Sequence, residues 1–503
     1  MFETAELGRK VSKEEYRKVE PELRTELIML QQQLRKADFP VLVLFSGVDG
    51  AGKGATVNLL NEWMDPRWME TRAYGELSDE ERDRPPFWRY WRDLPPRGTV
   101  GMFLSAWYSR PLLERVYQRA DDGAFNDRLD QILGFEKLLA DDGALILKFW
   151  MHLGREAQHR RLKALENDPL QSWRVTPTDW EHYEKYDSFV GVAEHLIMRT
   201  SQPHAPWKIV EGEDPRYRSL TVASILRDAI RRRMGERRAG ADAGLAADLD
   251  LGTMADALKT ARRKTVLDGL DMSRSVSGKE YDDRLPEAQA RLNTLYRAAR
   301  DSQHSMVLVF EGWDAAGKGG VIRRMTAAMD ARDYQVIPIA APTDEENARN
   351  YLWRFWRHLG RAGRVTIYDR SWYGRVLVER VEAFATEAEW RRAYTEINDF
   401  ERQLTEAGII IAKFWMHITP EEQLARFERR KEIPFKAWKL TDEDWRNREK
   451  WAEYEQAVHE MVERTSTVIA PWHLIESNSK KYARLKVIDI VCDSLEAKLE
   501  IKG

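Results

Sequence analysis

Short runs of consecutive apolar residues recur along the chain, each followed by a longer stretch of mixed apolar and charged positions. In the C-terminal half the runs are SMVLVF (305–310), VIPIA (336–340), RVTIY (364–368), GIIIAKFW (408–415) and STVIAPW (466–472). Their length and β-branched content predict buried strands. The intervening stretches 317–332, 344–358, 386–407, 420–432 and 441–463 are charged and amphipathic and predict helices. Strands alternating with helices imply a parallel sheet covered on both faces. The N-terminal half carries the same succession, with VLVLF, GALILKFW and PHAPWKIV as its strands.

A single offset relates the two halves. Lys318 and Lys53, Trp353 and Trp88, His417 and His152, and Pro471 and Pro206 are each 265 positions apart. Even VSKEEY, ending at Tyr16, aligns with VSGKEY, ending at Tyr281. A register kept without a gap over some two hundred residues reads as a duplicated and fused unit. The expected organisation is two domains, 1–235 and 268–503, rather than the three suggested by about 150 residues per domain. Segment 236–267 joins them. With GERRAGADAGLAADLDLGT (235–253) it is rich in Gly, Ala and Asp and reads as a linker.

The chemistry starts where VLVF runs into EGWDAAGKGG (311–320). Gly312, Gly317 and Lys318 fit G-x-x-x-x-G-K between a strand and a helix, the setting of a phosphate-binding loop. Backbone N–H groups of Ala315, Ala316, Gly317 and Gly319 can surround phosphate oxygens, helped by the helix N-terminus, and Lys318 can reach a terminal phosphate. The first copy has Gly47, Gly52 and Lys53 in step. The Ser or Thr that normally follows the lysine and binds Mg²⁺ is Gly319 here. Asp314 inside the loop is the candidate replacement, since Mg²⁺ favours carboxylate and phosphate oxygens.

A second candidate metal ligand is Asp369. It ends strand RVTIY, where a parallel sheet opens to its ligand crevice, and Arg370 beside it can neutralise a moving phosphoryl group. In the first copy Leu104 and Ser105 stand at these two positions. Segment 425–439 holds six basic and two acidic residues; the matching 160–174 holds four and two. Arg426, Arg429, Arg430, Lys436 and Lys439 suit a lid over a polyanion. Arg429, Arg430 and Lys436 become Ala164, Leu165 and Gln171 in the first copy, which therefore reads as folded but catalytically degenerate. Tryptophans 353, 356, 372, 415, 438 and 472 recur in both copies, as does KFWMH (148–152 and 413–417), so they read as scaffold.

Taken together, GWDAAGKGG, YDRSWYGR, KFWMH and the PFKAWK…APW series resemble the polyphosphate kinase type-2 family, and the tandem arrangement resembles its two-domain class. The resemblance implies two tandem P-loop kinase-like α/β domains, each a parallel sheet flanked by helices with a helical lid. It implies Mg²⁺-dependent transfer of phosphate from inorganic polyphosphate to AMP, giving ADP, in the second domain. By position it assigns catalysis to Asp314, Lys318, Asp369 and Arg370. The resemblance also implies a structural role for the first copy, packing against the second or completing a homo-oligomer, because single-domain relatives assemble through such contacts and two fused copies can mimic a dimer. An ATP-dependent small-molecule or nucleotide kinase, or a non-enzymatic nucleotide-binding regulator, would share much of this pattern.

Composition narrows the setting. The net charge of −3 among 32% charged residues argues against a nucleic-acid-coating protein. One cysteine, Cys492, leaves no intramolecular disulfide and fits a reducing cytoplasm. The start MFETAELGRK lacks the apolar stretch of a signal peptide, and no apolar run is long enough to span a bilayer, so neither export nor a membrane partner is expected.

Overall fold

The structure is a computed structural model and describes residues 1–244, 265–432 and 442–500. It divides into two compact units, one for each copy of the repeat, except that residues 77–89 group with the second unit and 347–350 with the first. The helix Pro215–Gly244 runs into the expected linker; positions 245–264 of that linker lie outside the described residues.

Each unit is built on a five-stranded, all-parallel sheet. The first contains β1 (Val41–Gly47), β2 (Met69–Ala73), β3 (Val100–Leu104), β4 (Leu145–His152) and β5 (Trp207–Glu211), in the order β2-β3-β1-β4-β5. The second contains β6 (Met306–Gly312), β7 (Tyr334–Pro338), β8 (Val365–Asp369), β9 (Ile410–His417) and β10 (Trp472–Glu476), in the order β10-β9-β6-β8-β7. Read from opposite edges, the two orders are the same. The central strands are covered on both faces: every residue of β1 and of β9 is buried. That is why they appear in the sequence as unbroken apolar runs rather than alternating ones. No described helix is long and apolar enough to cross a membrane.

Three predicted elements change shape. STVIAPW contributes only Trp472 to β10. The Ser466 and Thr467 hydroxyls accept from the amides of Trp472 (3.0 Å) and Ala470 (3.1 Å), Pro471 has no N–H for a ladder, and Val468 is fully exposed. The stretch 344–358 forms only two single-turn helices, Asp344–Asn347 and Trp353–Trp356. The stretch 441–463 breaks at Lys450 (φ −99°, ψ 31°) into Asp442–Glu449 and Trp451–Thr465.

The shared KFWMH segment is indeed scaffold. Lys413 on β9 is fully buried and donates to Glu401 (2.7 Å), the Tyr373 hydroxyl (2.8 Å) and the Thr465 carbonyl (2.7 Å), while Trp372 Nε1 donates to Glu401 (3.1 Å). The first copy repeats the network with Lys148, Glu136, Tyr108, Thr200 and Trp107. Five of the six recurrent tryptophan pairs are buried in both copies. The sixth differs: Trp173 is 78% exposed, and its partner Trp438 lies outside the described residues.

Candidate active site

Strand β6 is the centre of the second sheet, and the chain leaves it through a loop that needs glycine at two points. Gly312 (φ 146°) presses against β9, where a Cβ would lie 2.4 Å from the Met416 carbonyl. Gly317 (φ 111°) turns the chain into the helix Lys318–Thr326. That left-handed turn presents the first helical N–H groups outward, where an anion can take them. The Lys318 ammonium caps the loop, donating to the carbonyls of Gly312 (2.6 Å) and Trp313 (3.4 Å).

Register brings the second carboxylate to the same place. β6 pairs with β8 so that Phe310 lies opposite Asp369, and the Arg370 amide donates to the Phe310 carbonyl (3.0 Å). Arg370 takes a left-handed conformation (φ 67°), unusual for a side chain of its size. Its guanidinium donates to Asp314 Oδ1 (3.3 Å), and Asn447 on the helix Asp442–Glu449 donates to Asp314 Oδ2 (2.9 Å). The Asp369 carboxylate makes no hydrogen bond or ion pair among the described residues.

These groups border a cavity of about 890 Å³. Its wall carries nine cations, Lys318, Arg323, Arg324, Arg370, Arg426, Arg429, Arg430, Lys480 and Arg484, against three acids, Asp314, Asp369 and Asp444. The charged side-chain groups of four of these cations, Arg323, Arg324, Arg430 and Lys480, have no hydrogen-bond or ion-pair partner among the described residues. Burial, reinforced by Arg426 and Arg429, pushes the Lys480 ammonium down to about 8. A wall this unbalanced suits a ligand with many negative charges.

Most expected residues meet here: Asp314, Ala315, Ala316, Gly317, Lys318, Gly319, Asp369, Arg370, Arg426, Arg429 and Arg430 all line the cavity. Gly312 sits behind them at the strand end. Lys436 and Lys439 lie outside the described residues. Arg426 departs from the expected role of a lid cation. It is only 3% exposed and donates to the carbonyls of Ala315 (2.8 Å), Ala316 (3.0 Å), Ser477 (2.6 Å) and Asn478 (2.9 Å) and to Glu422 (2.6 Å). A guanidinium has five N–H groups, and these five bonds use them all. Arg426 braces the loop from beneath.

The first copy keeps the loop and changes its surroundings. At the offset, Arg323, Arg324, Arg370, Arg429, Arg430, Lys480 and Arg484 correspond to Asn58, Leu59, Ser105, Ala164, Leu165, Pro215 and Ser219. The brace is supplied by another helix: Arg218 donates to the carbonyls of Gly212 (2.9 Å) and Ala51 (3.5 Å) and to Thr56 Oγ1 (3.1 Å). The side chain of Arg161, the positional counterpart of Arg426, makes no hydrogen bond among the described residues. Asp49 is held by Lys53 (3.4 Å) and by His182 Nδ1, 2.7 Å from Oδ2. Burial works against its ionisation, but Lys53 and His182 outweigh it and bring the carboxyl down to about 2.

Behind the loop of the second copy, Trp313 stacks on Trp451 with ring centres 3.6 Å apart and donates through Nε1 to His417 Nδ1 (3.1 Å). Burial pushes His417 down to about 4, so it is a neutral acceptor at ordinary pH. This agrees with its reading as a packed, hydrogen-bonded histidine.

Arg323, Arg324, Lys480, Arg484 and Asn447 were not anticipated from the sequence. The first four are cations replaced by uncharged residues in the first copy, so the fixed offset marks them in the same way as Arg429 and Arg430. For Asn447, opposite His182, nothing marks the residue before the fold is known.

A parallel sheet in this strand order, with the G-x-x-x-x-G-K loop after its central strand and an acid at the neighbouring strand end, defines the class of P-loop α/β proteins. Within that class the chain belongs to the polyphosphate kinase 2 family, which residues 10–238 and 275–502 each match. It is 49% identical over 498 residues to the polyphosphate:AMP phosphotransferase of Pseudomonas aeruginosa, covering 99% of both chains. Identity to the polyphosphate:AMP phosphotransferase of Acinetobacter johnsonii is 35% over 461 residues, 91% of each. A crystal structure assigned to polyphosphate kinase 2 of Pseudomonas aeruginosa superposes with a TM-score of 0.87 at 47% identity, covering all of both chains.

Proposed function

We propose that the second copy transfers the terminal phosphoryl group of inorganic polyphosphate to the phosphate of AMP, forming ADP, and that the first copy has lost this chemistry. The observation that carries the proposal is the cavity wall: nine cations against three acids around the loop, seven of the nine replaced by uncharged residues in the first copy.

In this reading the loop amides and Lys318 take the terminal phosphates of the donor. Arg370, placed by the left-handed turn after β8, faces the phosphoryl group in flight. Arg429, Arg430, Arg323, Arg324, Lys480 and Arg484 hold the rest of the polyanion. Such transfer depends on positioning and charge neutralisation more than on covalent catalysis. The acceptor phosphate, with a second pKa of about 6, is already largely dianionic at neutral pH. No general base is then required, and the neutral His417 is not one.

Asp314 and Asp369 would hold Mg²⁺. The fit rests on Asp369, a carboxylate without a partner among the described residues at the edge of a cationic cavity, and on hard oxygen donors that leave room for phosphate oxygens and water. When bound, the ion would screen the charge that develops between donor and acceptor oxygens.

The test is ADP formation from AMP with long-chain polyphosphate or ATP as donor. Polyphosphate turnover abolished by Lys318→Ala and kept by Lys53→Ala is expected. Turnover with ATP alone would replace the donor and leave the loop assignment standing. Equal loss in both variants would overturn the division of labour between the copies.

A further inference from the structure

We infer that Glu311 is a positioning residue for this site: from the end of β6 it holds the hydroxyl of Ser371 and so fixes the turn that presents Asp369 and Arg370. The inference rests on the second copy being the catalytic one.

Glu311 is the last residue before the loop glycine and is only 5% exposed. Ser371 Oγ donates to its Oε1 at 2.8 Å and in turn accepts from the Tyr373 amide at 3.3 Å. Ser371 is itself buried, at 3% exposure. A carboxyl group in such a place is costly unless it is bonded. Burial pushes Glu311 up to about 7, against the Ser371 hydrogen bonds and the nearby charges of Lys318 and Arg370. Glu311 thus lies near enough to feel the charge of both cations assigned to the phosphoryl group.

The first copy shows what the pair is not for. There Ser46 replaces Glu311 and Ala106 replaces Ser371, so both partners are gone. The left-handed turn survives at Ser105 (φ 52°). The fold thus forms the turn without the pair. The pair is present only where the turn carries Asp369 and Arg370 instead of Leu104 and Ser105. A left-handed non-glycine residue is held at a cost of about 1–3 kcal/mol and needs support from its surroundings to stay in one geometry. The Glu311–Ser371 bond ties that turn to the strand that carries the loop, and so couples the two halves of the site.

Two readouts test this on the full-length protein. The first is amide hydrogen exchange over residues 369–375. Glu311→Ala and Ser371→Ala should each speed exchange there, and Glu311→Gln, whose amide oxygen still accepts from Ser371, should not. The second is steady-state kinetics of ADP formation. Both alanine variants should lower kcat by about a hundredfold, as for a reacting group displaced by about an ångström, with KM for polyphosphate within about twofold of wild type. The double alanine variant should be no worse than either single one, because one interaction is removed twice. Ser371→Ala keeps the buried acid and serves if Glu311→Ala fails to fold. Unchanged exchange, wild-type kcat in both single variants, additive losses, or Glu311→Gln as damaging as alanine would each overturn the inference. Absence of polyphosphate turnover in the wild type would sink the proposed function and leave the exchange measurement to decide this one.

Discussion

Arg426→Ala separates a brace from a ligand. The substitution removes five hydrogen bonds, four of them to backbone carbonyls of two segments that meet at the loop. A bond from a charged donor contributes about 1.5–3 kcal/mol. Carbonyls at the cavity wall can recover water, so the sum overstates the loss, and a total of about 3–5 kcal/mol follows the rule for breaking a buried charge interaction. At ~2–4 °C per kcal/mol for a domain of this size, the unfolding midpoint of the second unit should fall by about 6–20 °C. Calorimetry on the full-length protein, read beside polyphosphate affinity by titration, checks this. The first copy supplies the control. Arg218→Ala should destabilise its unit comparably, whereas Arg161→Ala, which breaks no side-chain hydrogen bond among the described residues, should shift it by about 2 °C or less. Arg429→Ala with Arg430→Ala should leave the midpoint unchanged and weaken polyphosphate binding most at low salt. An Arg426→Ala protein with wild-type unfolding and lost polyphosphate affinity would refute the reasoning and return Arg426 to the role of a phosphate ligand.

Other consequences can be measured directly. Lys480, held at about 8 by burial and by Arg426 and Arg429, should regain its proton when a polyanion binds; calorimetric titration at pH 8 in two buffers should show proton uptake, lost in Lys480→Met. His417, at about 4 when folded against about 6.5 when unfolded, binds protons more readily in the unfolded chain, so stability is full above about pH 6.5 and declines as pH falls towards 4. Between pH 7 and 5 the second unit should lose about 2 kcal/mol through this group in denaturant unfolding, a slope that His417→Gln should remove. Lys413→Met leaves Glu401 buried without its cation and should cost about 3–5 kcal/mol, with Lys148→Met doing the same in the first unit; a mild loss in either would mean that the shared network is not what holds KFWMH in place.

Much of the site could be read from the chain because its parts are local. Gly312, Gly317 and Lys318 belong to one loop whose shape follows from backbone conformation, and Asp369 with Arg370 ends an evident strand. The comparison between copies then marks the positions where charge is kept in one copy only, since Leu104 cannot bind a cation and Ala164 cannot pair with phosphate. Arg426 escaped this logic. It recurs in both copies in a basic stretch, and nothing in its neighbours tells whether its guanidinium faces a ligand or a carbonyl. STVIAPW resembles a strand for a related reason: apolar residues next to a strand look like strand until the exposure of Val468 is known.

The sequence by itself determined the duplication, the alternation of strands and helices, the phosphate loop and the asymmetry of charge between the copies. Each is written in periodicity, spacing or residue type, which the chain carries before it folds. Only the tertiary structure decided which of these residues meet. Arg426 closes on Ser477 across 51 positions, Asp314 is gripped by Asn447 across 133, and Ser371 reaches Glu311 across 60. Hydrogen bonds act over about 3 Å, so partners that distant in the chain are chosen by the packing of the sheet and its helices. The same packing let Arg218 take over in the first copy the bracing that Arg426 performs in the second.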